Sequence, residues 1–160
     1  MALRNILKEG DPRLRKTSRA VTEFNDRLWT LLDDMYETMI SDGVGIAAPQ
    51  VGVLRRAVVI DIGDGSGKHE LINPKIISSE GEQCGHEGCL SVPGEYGIVY
   101  RPQKVTVQAQ DRFGKPFELT AEDFFAVACC HELDHLDGVL FIDKAERMLT
   151  PEELEKLGEE

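Results

Sequence analysis

The sequence lacks any hydrophobic run long enough to cross a membrane. Its longest apolar stretches, residues 44–48 and 57–60, fall far short of the roughly 18–20 residues that a bilayer-spanning helix needs. The first residues, Met-Ala-Leu-Arg-Asn, have neither the apolar region nor the cleavage site of a secretory signal peptide. Together these absences predict a cytoplasmic protein that does not associate with membranes.

Basic residues are scarce as well. The sequence has 18 Lys and Arg against 29 Asp and Glu, which gives a formal net charge of −11 at pH 7. Binding DNA or RNA over a broad face requires clustered positive charge, so this composition argues against such a function. Hydrophobic residues make up 41% of the chain, and no repeat or low-complexity block interrupts it. Residues 1–160 are therefore predicted to form one domain, and we expect it to be a monomer.

Apolar periodicity and capping residues predict the helices. The first helix begins after the capping residue Asn25 and ends near Gly43. The second is capped by Thr120 and stops at Gly138. A short third helix begins at Thr150, which is followed by proline and two glutamates. Residues 1–24 are expected to form an irregular segment packed on the surface.

The segment between the two main helices predicts a sheet. Strands are predicted for residues 56–62, 70–78, 104–111 and 116–119, and loops for residues 43–50 and 81–97. The pair Asn73-Pro74 inside one strand is typical of an edge or bent strand. Strands and helices do not alternate, so a doubly wound parallel sheet is not expected. The predicted fold class is α+β, with antiparallel sheets packed around a central helix that carries an HExxH motif.

That motif is His131-Glu-Leu-Asp-His135. On a helix, His131 and His135 project from one face about 6 Å apart, so both imidazoles can reach one metal ion. Glu132 lies next to them, where a carboxylate can accept a proton from a water that the ion activates. The pattern indicates a catalytic metal site, and such a site needs a third protein ligand.

Several residues compete to be that third ligand. A zinc-protease pattern with a third histidine fails because Phe141 stands at its position, and a pattern with a later glutamate would use Glu155, which is expected to be solvated. Cys89, in a glycine-flanked loop, is the main candidate, and Cys84 is its competitor. The two cysteines directly before His131 point off the metal-binding face. A zinc endopeptidase and a closed structural metal site therefore remain alternatives at this point.

Three motifs together resemble one enzyme family. They are Gly43-Val-Gly-Ile-Ala-Ala-Pro-Gln50, Glu87-Gly-Cys-Leu-Ser91 and His131-Glu-Leu-Asp-His135. In order and spacing they are similar to the motifs of peptide deformylase, in its bacterial form, and the resemblance covers nearly the whole chain. It implies an α+β metalloenzyme that removes the formyl group from the N-terminal formylmethionine of new polypeptides and releases formate.

The resemblance also implies a role for each residue of the metal site. Cys89, His131 and His135 match the metal ligands of the family, and Glu132 matches its catalytic acid and base. The family usually holds one divalent ion, Fe(II) in the cell, and accepts Zn, Ni or Co. Iron is therefore the expected cofactor.

Further residues are expected to bind the substrate, an N-formylmethionyl peptide or nascent chain. By resemblance, the Gln50 side chain and the Leu90 backbone N–H bind the formyl oxygen. Small residues let a peptide backbone approach closely, and apolar residues on the helical face of His131 suit a methionine side chain. The candidate substrate-binding residues are Gly43, Gly45, Ile46, Phe124 and Val127.

Overall fold

The structure, a computed structural model, describes residues 2–158. Within these residues lie the helices α1 (Asp26–Met39), α2 (Asp123–Leu136), α3 (Phe141–Lys144) and α4 (Pro151–Gly158). The strands in the same part of the chain are β1 (Gly45–Ala47), β2 (Ala57–Ile60), β3 (His69–Glu80), β4 (Gln83–Cys89), β5 (Val92–Arg101), β6 (Lys104–Gln110), β7 (Pro116–Glu122) and β8 (Arg147–Met148). Short 3-10 helices lie at Pro12–Arg15 and Ala48–Val51.

Five strands form an antiparallel sheet in the order β1-β2-β3-β6-β7. Strand β1 lies where a loop was predicted. It was missed because three residues are too few for periodicity to reveal a strand. Strand β3 is internal and is interrupted by register shifts, so of the two predicted alternatives, an edge or a bent strand, it is the bent one. Asn73 has a φ of 51°, and Pro74 lies at the register shift between Ile72 and Lys75. The missing N–H of the proline thus falls where the ladder is already interrupted.

Helix α1 covers one face of this sheet and begins where the sequence predicts. The Asn25 side chain accepts a hydrogen bond from the backbone N–H of Leu28 at 3.3 Å. At the other end, the Gly43 N–H donates to the carbonyl of Met39 at 2.8 Å. The buried face of the helix packs with residues of β1 to β3 in one core cluster, and Ile46 is fully buried there.

Helix α2 packs on the opposite face of the sheet, but it begins later than predicted. Thr120 belongs to β7, where it pairs with Thr106, so strand pairing overrides the preference of a threonine for a helix cap. The helix starts at Asp123, whose φ of 56° marks the break between strand and helix. Gly138 ends it as predicted, with a φ of 78°. A Cβ at Gly138 would overlap the carbonyl of Arg15, so only glycine fits there.

A second sheet, in the order β4-β5-β8, lies against the other side of α2. Most of this sheet falls in residues 81–97, so the predicted loop is wrong. Strands β4 and β5 form a hairpin around the two-residue turn Leu90-Ser91. They bury Glu87 and Arg101, so the hydrophobic alternation that predicts strands is missing here. The α+β class, with antiparallel sheets around the helix that carries the HExxH motif, is confirmed.

The N-terminal segment, residues 2–19, runs over the surface as predicted. The Ala2 N–H donates to the Asp34 carboxylate of α1 at 2.8 Å. Further along, the Ser18 N–H donates to the carbonyl of Leu136, the last residue of α2, also at 2.8 Å. This segment therefore connects two helices that pack on opposite faces of the larger sheet.

The C-terminal helix α4 begins with the predicted cap, in which the Thr150 hydroxyl accepts from the Glu153 N–H at 3.2 Å. No helix within residues 2–158 is both long and apolar enough to cross a bilayer.

Elsewhere in the fold, Trp29 joins α1 to the turn between β6 and β7. Its indole N–H donates to the Arg112 carbonyl at 2.7 Å, and its ring meets Phe113 edge-on at 5.6 Å between centroids.

Candidate active site

The metal-binding candidates meet at the end of the β4–β5 hairpin. His131 and His135 lie on one face of α2, and Cys89 is the last residue of β4. The Cys89 Sγ is 3.4 Å from His135 Nε2, and ligand atoms of the three residues all lie within 4.8 Å of one another. Sulfur and nitrogen ligands of one tetrahedral zinc ion are about 3.5 Å apart, so this donor set fits a metal ion. Burial lowers the pKa of His135, which favours the neutral imidazole that binds metals.

The other three cysteines do not join this cluster. Cys84 is exposed on β4, whereas Cys129 and Cys130 are buried in the core between α2 and the larger sheet. Burial raises the pKa of Cys129 to about 12, so its thiol stays protonated and unreactive. The cluster of ligand atoms found in residues 2–158 contains Cys89 and none of these three.

Glu132 lies directly beside this set and is almost fully buried. Its Oε2 is 4.0 Å from His131 Nε2, and its Oε1 is buried with no hydrogen-bond partner in the described residues. Burial raises the pKa of Glu132 to about 7, although the nearby His131 acts in the opposite direction. Gly45 lies against the carboxyl group, because a Cβ added there would come within 2.6 Å of Oε2. A carboxyl group in this setting can both accept and release a proton near neutral pH.

Gln50 and the Leu90-Ser91 turn border the cluster on its other side. The Gln50 Oε1 accepts from the Ala47 N–H at 2.9 Å, which fixes the orientation of the amide. Its Nε2 then donates to Ser91 Oγ at 3.1 Å and lies 3.5 Å from Cys89 Sγ. The Ser91 N–H points at the same sulfur, at 3.4 Å. Both N–H groups therefore face the sulfur that is the candidate metal ligand.

The site also contains a buried ion-pair network that the sequence analysis missed. His131 Nδ1 is 2.9 Å from the Glu87 carboxylate, which accepts two hydrogen bonds from Arg101 at 2.8 and 2.9 Å. Arg101 also donates to Asp134 at 2.7 Å. Burial raises the pKa of Glu87, but the hydrogen bonds from Arg101 and His131 outweigh it and lower the value to about 2. The charge of Glu87, two residues before Cys89, was the one sequence signal that pointed to this network.

A groove of about 470 Å³ opens onto the cluster. Four of the five residues predicted to bind substrate line it, namely Gly43, Gly45, Phe124 and Val127. The structure does not bring Ile46 to the groove, because its side chain is fully buried against α1. Tyr96 and His86 of the β4–β5 hairpin form another wall, which the sequence did not indicate because that hairpin was predicted as a loop.

Residues 3–150 match the sequence profile of the polypeptide deformylase family. The chain belongs to this family. A peptide deformylase of Caldanaerobacter subterraneus subsp. tengcongensis is 58% identical over 160 residues, which cover 99% of each chain. A crystal structure of a peptide deformylase from Legionella pneumophila has a TM-score of 0.86 and 48% identity, and covers 98% of this chain and 96% of the other. A structure from Synechococcus elongatus, in complex with actinonin, has a TM-score of 0.84 and 40% identity over 94% and 81% of the two chains.

Membership in the family establishes the reaction. As a peptide deformylase, the protein is a metal-dependent hydrolase that removes the formyl group from the N-terminal formylmethionine of peptides. Formate and a peptide with a free amino group are the products. The alternatives of an endopeptidase and a purely structural metal site are thereby removed.

Proposed function

We propose that Cys89, His131 and His135 hold one divalent metal ion and that Glu132 is the acid and base of deformylation. The observation that carries this proposal is the convergence of one thiol and two imidazoles beside a buried carboxyl group. When bound, the ion supplies Lewis-acid chemistry, since it polarises a carbonyl oxygen and lowers the pKa of water. The remaining steps belong to residues of the chain.

In this proposal Glu132 moves the proton. Its carboxylate accepts a proton from the attacking water and later gives that proton to the nitrogen of the departing amine. The same oxygen can serve both steps, since a buried carboxyl group with a pKa of about 7 changes protonation state readily at neutral pH. A bound cation would favour the carboxylate form, the form needed for the first step.

Gln50 and Leu90 stabilise the negative charge that develops on the formyl oxygen. The Gln50 amide is held with its Nε2 towards the cluster, because its Oε1 is occupied by the Ala47 N–H. Donors fixed in advance in a site that excludes water stabilise an oxyanion more than water does. The backbone N–H of Leu90, at the hairpin turn beside Cys89, is the second proposed donor.

The substrate is a formylmethionyl peptide or nascent chain that lies extended in the groove. We propose that its backbone runs along Gly43 and Gly45, where the lack of side chains permits close approach, and that the methionine side chain contacts Phe124 and Val127. Ile46 would take part through its backbone alone. The proposed setting is the bacterial cytoplasm, with residues 1–160 acting as one monomeric domain.

Iron is the proposed metal in the cell. A thiolate with two imidazoles suits Fe(II) and Zn(II) alike, and the order of affinities alone does not decide which ion is bound. Support for iron comes from the family's usual preference. Elemental analysis of protein purified without oxygen, together with formate release, tests this part of the proposal.

Substitution of each cysteine tests the proposed ligand set. Cys89→Ser should lose most of its bound metal, because it removes one of three ligands, whereas Cys84→Ser, Cys129→Ser and Cys130→Ser should keep one ion per chain. Metal stoichiometry of the four purified variants measures this. Full loading of Cys89→Ser, with loss at Cys84→Ser, would mean that the wrong thiol has been assigned.

The companion variant Glu132→Gln tests the proton-transfer role. It removes the proton acceptor but no metal ligand, so bound metal should stay at one ion per chain while kcat falls by about 10²–10⁴-fold. Formate release from formyl-Met-Ala-Ser with metal-loaded protein measures the loss. Activity near that of the wild type in such a preparation would contradict the assignment of Glu132.

A further inference from the structure

The N-terminal segment crosses both loops that border the candidate metal cluster. The Leu7 N–H donates to the carbonyl of Gln50 at 2.7 Å, and the Glu9 N–H donates to the carbonyl of Ser91 at 2.7 Å. Two residues of the stretch 7–9 thus hydrogen-bond the 3-10 helix Ala48–Val51 and the turn that follows Cys89. These two loops come from different sheets, and the segment connects them directly.

A side chain adds a third contact at the same place. The Lys8 Nζ donates to the Leu90 carbonyl at 3.3 Å. That carbonyl belongs to the same peptide group as the Ser91 N–H, which points at Cys89 Sγ from 3.4 Å. A cation on the oxygen of a peptide polarises it and strengthens its N–H as a donor. Lys8 therefore acts on the sulfur through one peptide group, without touching it.

From these contacts we infer that residues 7–9 form a positioning element for deformylation. They hold the Leu90-Ser91 turn against Gln50 and so set the distance between the two oxyanion donors and the thiolate. None of the three residues is placed at the substrate or the reacting atoms, so they are positioning residues. The inference rests on the roles proposed above for Gln50, Leu90 and Cys89.

The turn after Lys8 allows a sharp test of the Glu9 hydrogen bond. The Asp11 N–H donates to the Lys8 carbonyl at 3.0 Å, and Gly10, third in this turn, has a φ of 106°. A four-residue turn whose third residue has a positive φ commonly has proline at its second position, and Glu9 occupies that position here. Glu9→Pro removes the backbone N–H that donates to the Ser91 carbonyl and places a carbon of the proline ring in its position. Glu9→Ala is the matched control, because it keeps the N–H and loses only an exposed side chain.

The readouts are kinetics and the spectrum of the cobalt-substituted enzyme. Co(II) bound to a thiolate has a sulfur-to-metal absorption band, so the wild-type band should disappear in Cys89→Ser. Glu9→Pro should lower kcat roughly 10- to 100-fold, as expected for a small misplacement of catalytic groups, with little change in KM. It should also shift the cobalt band, whereas Glu9→Ala should match the wild type in both readouts.

Two results would overturn the inference, and they are distinguishable. Equal kcat and identical spectra for Glu9→Pro and Glu9→Ala would show that the contact does not position the site. A wild-type band that survives in Cys89→Ser would instead contradict the proposed ligand set on which the inference rests.

Lys8 variants keep the inference testable if Glu9→Pro does not fold. Lys8→Met removes only the bond to the Leu90 carbonyl, so it should shift the cobalt band and lower kcat several-fold, and Lys8→Arg should restore both. Identical spectra and rates for Lys8→Met, Lys8→Arg and the wild type would contradict the role of this side chain.

Discussion

The backbone of Gly45 defines the position of the Glu132 carboxyl group. A Cβ on Gly45 would lie 2.6 Å from Oε2 and 2.9 Å from Cδ, distances that real Cβ contacts do not show. Glu132 is buried, so its carboxyl group has little room to move aside. Glycine at this position is expected to let the substrate approach, and the structure adds a second requirement for it.

Gly45→Ala should therefore lower kcat with metal content unchanged. Displacing a general base by about 1 Å costs on the order of 10²-fold in rate. Gly43→Ala is the control: its Cβ would meet the Leu90 side chain at 3.1 Å, and that flexible group can move, so a smaller loss is expected. Formate release and metal analysis of both variants measure the difference. Equal losses would show that the substrate, and not Glu132, is what the methyl group disturbs.

At this scale the sequence was most informative where chemistry and spacing are tied together. His131 and His135 are four residues apart on a helix, so their convergence follows from helix geometry. Cys89 lies on a strand of the smaller sheet, far from both histidines in sequence, and only the resemblance to a family separated it from Cys84. The side chain of Ile46 is buried against α1 because alternation in a short strand sends neighbouring side chains to opposite faces, so only its backbone is left to meet a substrate.

Among the elements, the β4–β5 hairpin depends on charges buried against α2. Glu87 and Arg101 are each less than a tenth exposed, and Arg101 contacts Asp134 of α2. A carboxylate that accepts from the second ring nitrogen of a histidine orients that imidazole towards a metal. The hairpin thus orients His131 in addition to carrying Cys89.

Glu87→Gln should weaken both metal binding and folding. The buried Arg101 guanidinium then has less negative charge around it to neutralise it, which costs on the order of 3 kcal/mol of stability. It also removes the charged partner of His131, so metal affinity should fall roughly 10- to 100-fold. Urea unfolding and competition with a chelator measure the two effects.

A double variant separates those two effects. Glu87→Leu combined with Arg101→Met replaces the buried charges by apolar side chains, which is often neutral or stabilising. We expect this protein to recover most of the lost stability but not the metal affinity. Recovery of both would show that Glu87 does not act on the metal site through His131.

The N-terminal segment is fastened to α1 by a buried carboxylate with a lowered pKa. A hydrogen bond from the Ala2 backbone lowers the pKa of Asp34, burial opposes this, and Arg4 lowers it further. A depressed folded-state pKa stabilises the protein above the ordinary Asp value of about 3.9, and this contribution is lost as the pH falls through the folded value. Asp34→Asn should thus lower Tm at pH 7 by a few degrees.

The pH dependence of that difference is the measurement. The gap in Tm between wild type and Asp34→Asn should be constant above about pH 5 and should shrink as the pH falls below about 4. Glu23→Gln, at an exposed carboxylate, is a control and should show no such gap. If the difference in Tm between wild type and Asp34→Asn were the same at pH 3 and pH 7, the negative charge of Asp34 would not contribute to stability.

The accuracy of the predicted elements followed the kind of residue that each one buries. Helix α1 and strand β6 bury apolar residues at regular intervals, and both lie where predicted. The β4–β5 hairpin buries an ion pair, and helix α2 starts after a strand that extends through Thr120. In both cases long-range contacts decided the structure, and local propensity carried no sign of them.

Across the whole molecule, the candidate ligands come from parts of the chain far apart in sequence. Cys89 ends a strand of the small sheet, whereas the two histidines lie on the helix that packs against the large sheet. The unfolded chain does not hold these ligands together, so a bound ion should stabilise the folded state by mass action.

Metal removal should accordingly lower Tm. At a free zinc concentration 100 times the Kd, the gain is about 2.7 kcal/mol, or roughly 5–10 °C for a protein of this size. Chelator-treated protein should recover that difference when zinc is added, and Cys89→Ser should not. Cys84→Ser is the control and should respond as the wild type does. A zinc-induced rise of the same size in Cys89→Ser would contradict the ligand set.

The position of Trp29 makes the protein its own fluorescent reporter. The indole lies between α1 and the β6–β7 turn, on Phe113, and the candidate metal cluster lies on the far side of the larger sheet. Its emission therefore follows the packing of α1 against that turn. Because this is the one tryptophan of the chain, refolding traces recorded at its wavelength describe a single, known interface. Tryptophan emission and cobalt absorption can be recorded in one refolding sample. Their comparison shows whether α1 packs against the β6–β7 turn before or after the catalytic centre assembles.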